Sequence, residues 1–313
     1  MAWRSVMVTQ PARLRLEQRA LAVDGEQGTV RVPLEDMSVL IIDQPQVNLT
    51  AQLLSACAEQ QIAVVTVGAN HHPNGVLLPY LPHSRALKVI RAQFGMSLPR
   101  RKQLWRSIIQ RKIRNQADVL ERLSHPAVCR RLRALAQCVR SGDAGHAESQ
   151  AAQIYFRTLF PRGFTRAQDR LHNAALNYGY SIIRSALGRN LVSYGFLTAI
   201  GLHHDSEQNA FNLADDLLEP FRPILDVQVL RQFPIEAPDH DLTREDKAAL
   251  VNVMHEDVSL HQTDGETVLC TMLAAAEAVV VSLSQRLGDD GSSLALPGLP
   301  PIPVETVADS EDE

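Results

Sequence analysis

Three acidic residues, Asp215, Asp216 and Glu219, stand close together in an apolar stretch that reads NLADDLLEPF. On a helix, Asp216 and Glu219 share one face, where like charges cost about 0.2–0.5 kcal/mol a pair in water and more beside buried leucines. Either the guanidinium of Arg222 or a divalent cation could offset that cost. Mg²⁺ and Mn²⁺ bind carboxylate oxygen, and Mn²⁺ also binds imidazole nitrogen. His204, just upstream of the helix, is therefore the candidate third partner.

A further carboxylate, Glu148, follows a stretch that reads SGDAGHA. Asp143 is a candidate cap for a helix that begins near Gly145, which places Glu148 in the first helical turn. A glutamate there complements the helix dipole and needs no catalytic role. On the residues alone, helix stability explains Glu148.

Basic residues are concentrated between residues 100 and 140, although the whole chain has a formal net charge of −4. That window holds twelve Lys and Arg residues and two acidic residues, a net charge of +10, so the remainder carries −14. Arginine suits phosphate oxygens, whereas most charge runs are solvated helix faces, and the charge alone leaves both interpretations open. The basic residues are Arg100, Arg101, Lys102, Arg106, Arg111, Lys112, Arg114, Arg122, Arg130, Arg131, Arg133 and Arg140.

The pattern of the chain changes near residue 85. Earlier residues form short apolar or alternating runs, with a hairpin turn at DGEQG and buried strands at SVLIID and IAVVTVG. Later residues show mostly helical periodicity, including 192–201 and 267–287. We expect an α+β fold with a small β-rich N-terminal domain (1–84), a larger all-helical domain (85–290) and a proline-rich, then acidic tail (291–313) that is disordered.

Several protein classes are disfavoured by the composition. The sequence contains no run of about 18 or more apolar residues, so it predicts no membrane-spanning helix. The N-terminus lacks the apolar core of a signal peptide. The four cysteines are scattered, with no C-x-x-C pair that would indicate a zinc site or a disulfide framework. We expect a cytoplasmic protein that does not contact membranes.

The segment GLHHDSEQNAFNLADDLLEPFRPILD resembles the Cas1 family of CRISPR-associated integrases. NAALNYGYSIIRSAL, some thirty residues earlier, and Glu148 also match, and the resemblance extends over nearly the whole chain. The pattern looks like the branch found with the Cas9 effector. The resemblance implies a β-rich N-terminal domain followed by a helical catalytic domain.

The resemblance also implies a metal site. In that family a glutamate, a histidine and a further carboxylate of the helical domain bind one divalent metal. Those positions fall on Glu148, His204 and Glu219, which are therefore the expected catalytic residues and ligands of Mg²⁺ or Mn²⁺.

The same resemblance implies roles for residues that neighbour the expected metal ligands. Asp216 matches another acidic position and is expected just outside the metal ligands, whereas His203 and Asp215 are expected to lie outside the site. A family run of the form R-x-x-D-x-x-x-N-x-x-x-x-x-x-Y is interpreted as scaffolding near the site; its positions here are Arg166, Asp169, Asn173 and Tyr180.

The implied reaction inserts short DNA fragments, or spacers, into the CRISPR array. A 3′-hydroxyl attacks a phosphodiester at the edge of a repeat, and with water as the nucleophile the same site is a DNA endonuclease. The implied partners are double-stranded DNA (spacer precursor and CRISPR repeat), a second copy of the chain contacted through the β-rich domain, the small partner Cas2, and the Cas9 effector. The basic window is then interpreted as contact with the DNA backbone.

Two other functions stay open. The triplet HHD at 203–205 is also found in metal-dependent HD phosphohydrolases, which need a further histidine and aspartate; His146 or His172 and Asp226 are the candidates. Alternatively, the protein is a non-catalytic DNA-binding scaffold whose acidic residues pair with arginines.

Overall fold

The computed structural model describes residues 4–68, 73–80, 83–161, 163–166, 170–287 and 294–301. The strands are β1 (Arg4–Val8), β2 (Arg13–Glu17), β3 (Ala20–Gly25), β4 (Gly28–Pro33), β5 (Met37–Ile42), β6 (Asn48–Leu49), β7 (Ala63–Val67), β8 (Pro73–Leu77), β9 (Asp257–His261), β10 (Thr267–Thr271) and β11 (Leu296–Gly298). The helices are α1 (Ala51–Glu59), α2 (Ala86–Gly95), α3 (Leu98–Arg122), α4 (Pro126–Gln137), α5 (Ala147–Leu159), α6 (Leu171–Ser193), α7 (Asn212–Leu218), α8 (Arg222–Gln232), α9 (Arg244–Asn252) and α10 (Met272–Gln285).

The N-terminal region contains two four-stranded sheets, with strand orders β1-β5-β7-β8 and β4-β3-β2-β6. The first three strands of the former sheet are parallel, and the hairpin predicted at DGEQG joins the antiparallel strands β3 and β4. Gly28 permits that turn because its φ of +109° lies in the region that favours glycine. The predicted β-rich region with one helix, α1, is therefore present.

Strand β5 is buried on both faces, which explains why its sequence is apolar except for Ser38. Leu40 and Ile42 belong to the core of the N-terminal region, whereas Val39 and Ile41 pack in the core of the helical region. The residue after the strand, Asp43, forms a buried ion pair with Lys247 of α9 at 2.8 Å. The two regions therefore meet along this sheet and through the Asp43–Lys247 ion pair.

Helices α3 and α6 form the centre of the helical region. Helix α3 is 25 residues long and packs against α4, α5 and α8. Helix α6 is buried over most of its length and packs against α7, α8, α9 and α10, as expected of a helix with apolar residues on every side. No helix in the described ranges is both long and apolar enough to cross a membrane.

The α+β class is confirmed, but the larger region is not all-helical. It contains an antiparallel three-stranded sheet with the order β10-β9-β11. Residues 267–271, predicted as the first part of a helix, form β10 because the sequence TVLCT is rich in β-branched residues. The helix begins only at Met272, where the Thr271 hydroxyl accepts a hydrogen bond from the Ala274 N–H.

Part of the predicted disordered tail is ordered. Residues 296–298 pair with β9, and the side chains of Leu294, Leu296 and Leu299 are buried. The apolar residues between the prolines therefore outweigh the proline-rich composition, which alone favours disorder. The rest of the predicted tail, 291–293 and 302–313, lies outside the described residues.

Candidate metal centre

His204 lies in an irregular segment rather than directly after a helix. The sequence pattern predicts a helix over residues 192–201, but α6 ends at Ser193 and no helix follows until α7. Gly195 adopts a φ of +84°, which breaks the helical path.

Two side chains from other helices hold this segment. The amide nitrogen of Gln93 in α2 donates to the carbonyls of Leu197 and Ile200 at 2.9 and 2.8 Å. The guanidinium of Arg101 in α3 donates to the carbonyl of Gly201 at 2.6 Å. Contacts from other elements therefore satisfy carbonyls that a helix would have paired internally.

Asp216 fixes the end of the segment and the ring of His204. Its fully buried carboxylate accepts hydrogen bonds from the backbone N–H groups of Leu202, His203 and His204 at 2.5, 3.1 and 3.1 Å. It also contacts Nδ1 of His204 at 2.8 Å. That hydrogen bond is the main reason the pKa of His204 is raised above its ordinary value. Because Nδ1 is engaged, Nε2 is the ring nitrogen left for a ligand.

The adjacent histidine has a different environment. The ring of His203 stacks on Trp105, with ring centres 4.3 Å apart and planes 7° apart. The ring of His204 meets the same indole edge-on, with ring centres 5.7 Å apart. The two histidine rings therefore meet Trp105 in different orientations. Of these two rings, the one that contacts the carboxylate of Asp216 in the described structure is that of His204.

Glu148 is placed by the first turn of α5. The side chain of Asp143 accepts hydrogen bonds from the N–H groups of Ala147 and Glu148 at 2.9 and 3.1 Å, so the predicted capping role is confirmed. Capping fixes the start of the helix and thus the position from which Glu148 extends.

Glu148 and Glu219 converge on one cation, the ammonium of Lys112. Its Nζ lies 2.6 Å from Oε1 of Glu148 and 2.5 Å from Oε2 of Glu219. The distance between the two carboxylate oxygens therefore cannot exceed the sum of these two distances. Burial lowers the pKa of Lys112, but Glu219 and Glu148 raise it by more, and the net direction is upward. A charged lysine therefore lies between two residues that the sequence separates by about seventy positions.

The other oxygen of Glu219 pairs with Arg222, as the ion-pair interpretation of the sequence predicts. The Nε of Arg222 donates to Oε1 at 3.0 Å, and its guanidinium lies 4.6 Å from the centre of the Tyr180 ring. Burial raises the pKa of Glu219, but Lys112 and Arg222 lower it by a larger amount, so the pKa of Glu219 lies below its ordinary value. The carboxylate is consequently ionised despite being almost fully buried.

The residues fit a divalent cation in chemistry, although they are not arranged as a complete ligand set. Among the described residues, no three His, Cys, Asp or Glu side chains already lie close enough to hold a metal ion. However, Oε2 of Glu219 is buried and, despite its close contact with Lys112, has no hydrogen-bond donor in suitable geometry. Two carboxylates and one imidazole are a donor set that Mn²⁺ accepts and that Mg²⁺ binds through the oxygens.

Asp215 and the residues of the family run lie around the site. Asp215 forms a two-point ion pair with Arg184, at 2.7 and 3.0 Å. Arg166 donates to the side chain of Asn173 at 2.7 Å and lies 5.6 Å from the centre of the Tyr180 ring. Asp169 lies outside the described residues.

The residues required by the HD phosphohydrolase hypothesis do not come together. His172 contacts the carbonyl of Phe233, His146 is exposed, and buried Asp226 accepts a hydrogen bond from the hydroxyl of Tyr180. None of the three contacts the His203 or His204 ring in the described structure.

The basic window divides into residues that are already engaged and residues that are exposed. Arg133 pairs with both acids of the window, Asp118 and Glu121, at 2.9 and 2.5 Å. Arg101 and Arg122 donate to backbone carbonyls, and burial lowers the pKa of Arg111 to about 10. Besides Arg133, which is exposed as well as paired, the exposed members are Lys102, Arg106, Arg114, Arg130, Arg131 and Arg140.

Lys112 is the site residue that the sequence pattern does not single out. The net charge of the window groups it with the residues expected to contact DNA. Its spacing carries a signal, however, because Ile108, Ile109 and Gln116 lie three or four positions away and all are buried. A lysine on the buried stripe of a helix needs an acidic partner, and Glu148 and Glu219 are the partners found.

Comparisons with known proteins identify the family of the chain. Residues 6–252 match the family described as CRISPR associated protein Cas1. A CRISPR-associated endonuclease Cas1 of Neisseria meningitidis serogroup C (strain 8013) is 39% identical over 303 residues, which cover 96% of this chain and 98% of that protein.

Two solved structures share the fold. A casposase bound to integration product superposes with a TM-score of 0.74 at 20% identity, covering 93% of this chain and 92% of that one. A Cas6-RT-Cas1–Cas2 complex superposes with a TM-score of 0.71 at 17% identity, covering 94% of this chain and 36% of that one. Given the family match over most of its length and the identity to the Neisseria protein, the chain belongs to the Cas1 family of CRISPR-associated proteins.

Proposed function

We propose that this protein is a metal-dependent DNA integrase and endonuclease that inserts spacers into a CRISPR array. One observation carries the proposal: Glu148 and Glu219 converge on a single cation, and Asp216 holds His204 in the segment before α7. Similar proteins support it, since one is a CRISPR-associated endonuclease and another is a casposase bound to integration product.

In this proposal Glu148, Glu219 and Nε2 of His204 would hold one Mg²⁺ or Mn²⁺ ion. A bound ion of this kind supplies Lewis-acid stabilisation of the charge on the phosphodiester and on the entering or leaving oxygen. Asp216 holds His204 through Nδ1, which orients Nε2. Arg222 holds the other oxygen of Glu219 and limits rotation of that carboxylate. The protein otherwise contributes by positioning the two DNAs.

The assembly and setting follow from the family. We propose a homodimer formed through a β-rich domain (1–84), a catalytic domain (85–290), and a cytoplasmic complex with double-stranded DNA and the small partner Cas2. The name of the Cas6-RT-Cas1–Cas2 complex supports Cas2 as a partner. The motif in residues 201–226 supports the branch that accompanies Cas9.

A non-catalytic DNA scaffold is the second candidate, because one observation favours it. Glu219 already has two cationic partners, Lys112 and Arg222, so its charge is offset without a metal ion. The scaffold hypothesis requires such pairing and predicts no divalent-ion dependence.

A strand-transfer assay separates these functions. Purified protein is incubated with a short duplex carrying free 3′-hydroxyls and a labelled plasmid containing the CRISPR repeat, with Mg²⁺, with Mn²⁺ or with chelator, and with and without Cas2. We expect covalent joining of the duplex to the repeat with either ion and none with chelator.

Other products would contradict the proposal. Bound but unjoined DNA under every condition, independent of metal, identifies the scaffold. Release of nucleotide monophosphate without joined or nicked DNA identifies a phosphohydrolase instead.

A further inference from the structure

Lys112 occupies the space between the two carboxylates that the proposed function assigns to a metal ion. It is buried in α3, and its Nζ contacts one oxygen of Glu148 and one of Glu219. The ammonium donates a hydrogen bond to Glu148, whereas its contact with Glu219 is an ion pair without hydrogen-bond geometry. The ammonium of Lys112 thus contacts two carboxylates, and it forms a hydrogen bond with Glu148 but only an ion pair with Glu219.

Helix α3 holds the backbone of Lys112 close to the site. Three residues along the helix, the side-chain amide of Asn115 donates to the carbonyls of Pro220 and Pro297 at 2.7 and 3.0 Å. This anchor ties α3 to the turn that follows Glu219. The lysine side chain, by contrast, has a flexible four-carbon stem, so its ammonium can move without movement of the helix.

A divalent ion and this ammonium cannot share the same oxygens. A metal bound by a carboxylate lies about 2.0–2.6 Å from the oxygen, and the ammonium is at comparable distances from both. Two positive charges about 4 Å apart repel by about 4 kcal/mol for unit charges at an effective dielectric constant near 20, and more when one is divalent. Arg222 adds a third positive charge on the far oxygen of Glu219.

Resting on the proposed metal site, we propose that Lys112 is an internal counter-ion that holds the place of the metal and must leave the space between Glu148 and Glu219 before the ion binds. The lysine stabilises the metal-free protein by offsetting part of the negative charge of two adjacent carboxylates. For the same reason it weakens metal affinity, since each binding event must break its contacts.

Another buried lysine provides a matched control. Lys247 is also buried and also forms an ion pair, but its partner is Asp43 at the junction of the two regions. Removing either ammonium leaves buried carboxylate charge without its partner, which destabilises a folded protein. Only the removal of Lys112 should change the affinity for a divalent ion.

The first test measures Mn²⁺ binding by calorimetry to the full-length wild type and to Lys112→Met and Lys247→Met, with thermal unfolding in chelator alongside. We expect both variants to unfold about 5 °C or more below wild type without metal. Lys112→Met should bind Mn²⁺ about tenfold or more tightly than wild type, and Lys247→Met should bind it like wild type. Unchanged or weaker Mn²⁺ binding by folded Lys112→Met would overturn the proposal.

The second test uses wild-type protein and does not depend on a variant that folds. A crystal structure with Mn²⁺ should place the ion between Glu148 and Glu219, with Nζ of Lys112 moved away from at least one of them. A bound ion with both lysine contacts retained would overturn the proposal.

The two tests separate the counter-ion from the proposed function. If wild type transfers DNA strands and binds Mn²⁺ as tightly as Lys112→Met does, the counter-ion role fails and the proposed function stands. If neither protein binds Mn²⁺ and strand transfer is absent, both fail.

Discussion

Asp216 is joined to His204 at two atoms, since its Oδ1 contacts both the backbone N–H and Nδ1 of that residue, at 3.1 and 2.8 Å. Its Oδ2 accepts hydrogen bonds from the N–H groups of the two preceding residues. We expect Asp216→Asn to abolish most strand transfer, because one amide oxygen cannot replace two carboxylate oxygens. Each buried donor left unpaired costs about 1–3 kcal/mol, so chemical denaturation should also show a loss of stability of a few kcal/mol.

The adjacent aspartate is the control for that variant. Asp215 pairs with Arg184 rather than with His204. Asp215→Asn should therefore lose at most a modest amount of stability and retain strand transfer. Equal losses of activity in the two variants would show that the contact with His204 has no special role.

Gly201 tests how closely the segment before α7 must pack. A Cβ at this position would overlap the carbonyl oxygen of His204 and lie 2.8 Å from Oδ2 of Asp216. Both are polar atoms held in place, so we expect Gly201→Ala to displace the segment and lower strand transfer about tenfold or more, as small misplacements of reacting groups do. Gly95→Ala, where a Cβ meets nothing within 4 Å, should behave like wild type. Full activity in Gly201→Ala would mean that the segment is adaptable.

The exposed arginines of the basic window give a prediction about salt. Each arginine that neutralises a phosphate of duplex DNA should contribute about 0.9 to the slope of log K against log salt. Reversing Arg106, Arg114 and Arg131 together, as Arg→Glu, should weaken binding to every duplex and flatten the slope, while repeat preference survives. Arg133→Glu is the control, since Arg133 is already paired with two acids. An unchanged slope in the triple variant would place the DNA surface elsewhere.

Asp226 predicts a pH dependence of stability. Burial raises its pKa from 3.8 to about 6, against the lowering effect of the hydrogen bond from the Tyr180 hydroxyl. The folded protein therefore binds more protons than the unfolded chain between those two values, and stability falls as pH rises through that window. Asp226→Asn removes this cost, so its advantage over wild type in urea unfolding should grow from about pH 4 to about pH 6, reaching about 2–3 kcal/mol.

The control for Asp226→Asn is the same change at exposed Asp205. That variant should follow wild type across the whole range. A constant difference between Asp226→Asn and wild type at every pH would show that the buried carboxyl does not titrate in this window.

Much of the fold can be predicted from local sequence patterns. The hairpin at DGEQG, the doubly buried strand β5 and the long helix α3 each follow from periodicity or turn residues. The segment of 192–201 does not, because its conformation depends on Gln93 and Arg101, which lie about a hundred positions away. The short strand β11 is missed for a similar reason: it exists through its pairing with β9.

The candidate site shows the same division. Clustered charge and family motif single out Glu148, His204 and Glu219, and local helix geometry predicts the role of Asp143. The place of Lys112 depends on three separate elements meeting, which no local pattern encodes. Its burial is indicated by helical spacing, but its partners are not.

The central claim is that His204, with Glu148 and Glu219, forms the site of strand transfer, and its adjacent histidine provides the most direct measurement. Wild type, His204→Ala and His203→Ala are compared in the strand-transfer assay with Mn²⁺, after circular dichroism and DNA-binding measurements have matched the three proteins. We predict that His204→Ala loses strand transfer while it keeps its fold and DNA affinity, and that His203→Ala retains it, because the His203 ring stacks on Trp105 instead of contacting Asp216. Strand transfer at the wild-type rate by His204→Ala would contradict the account.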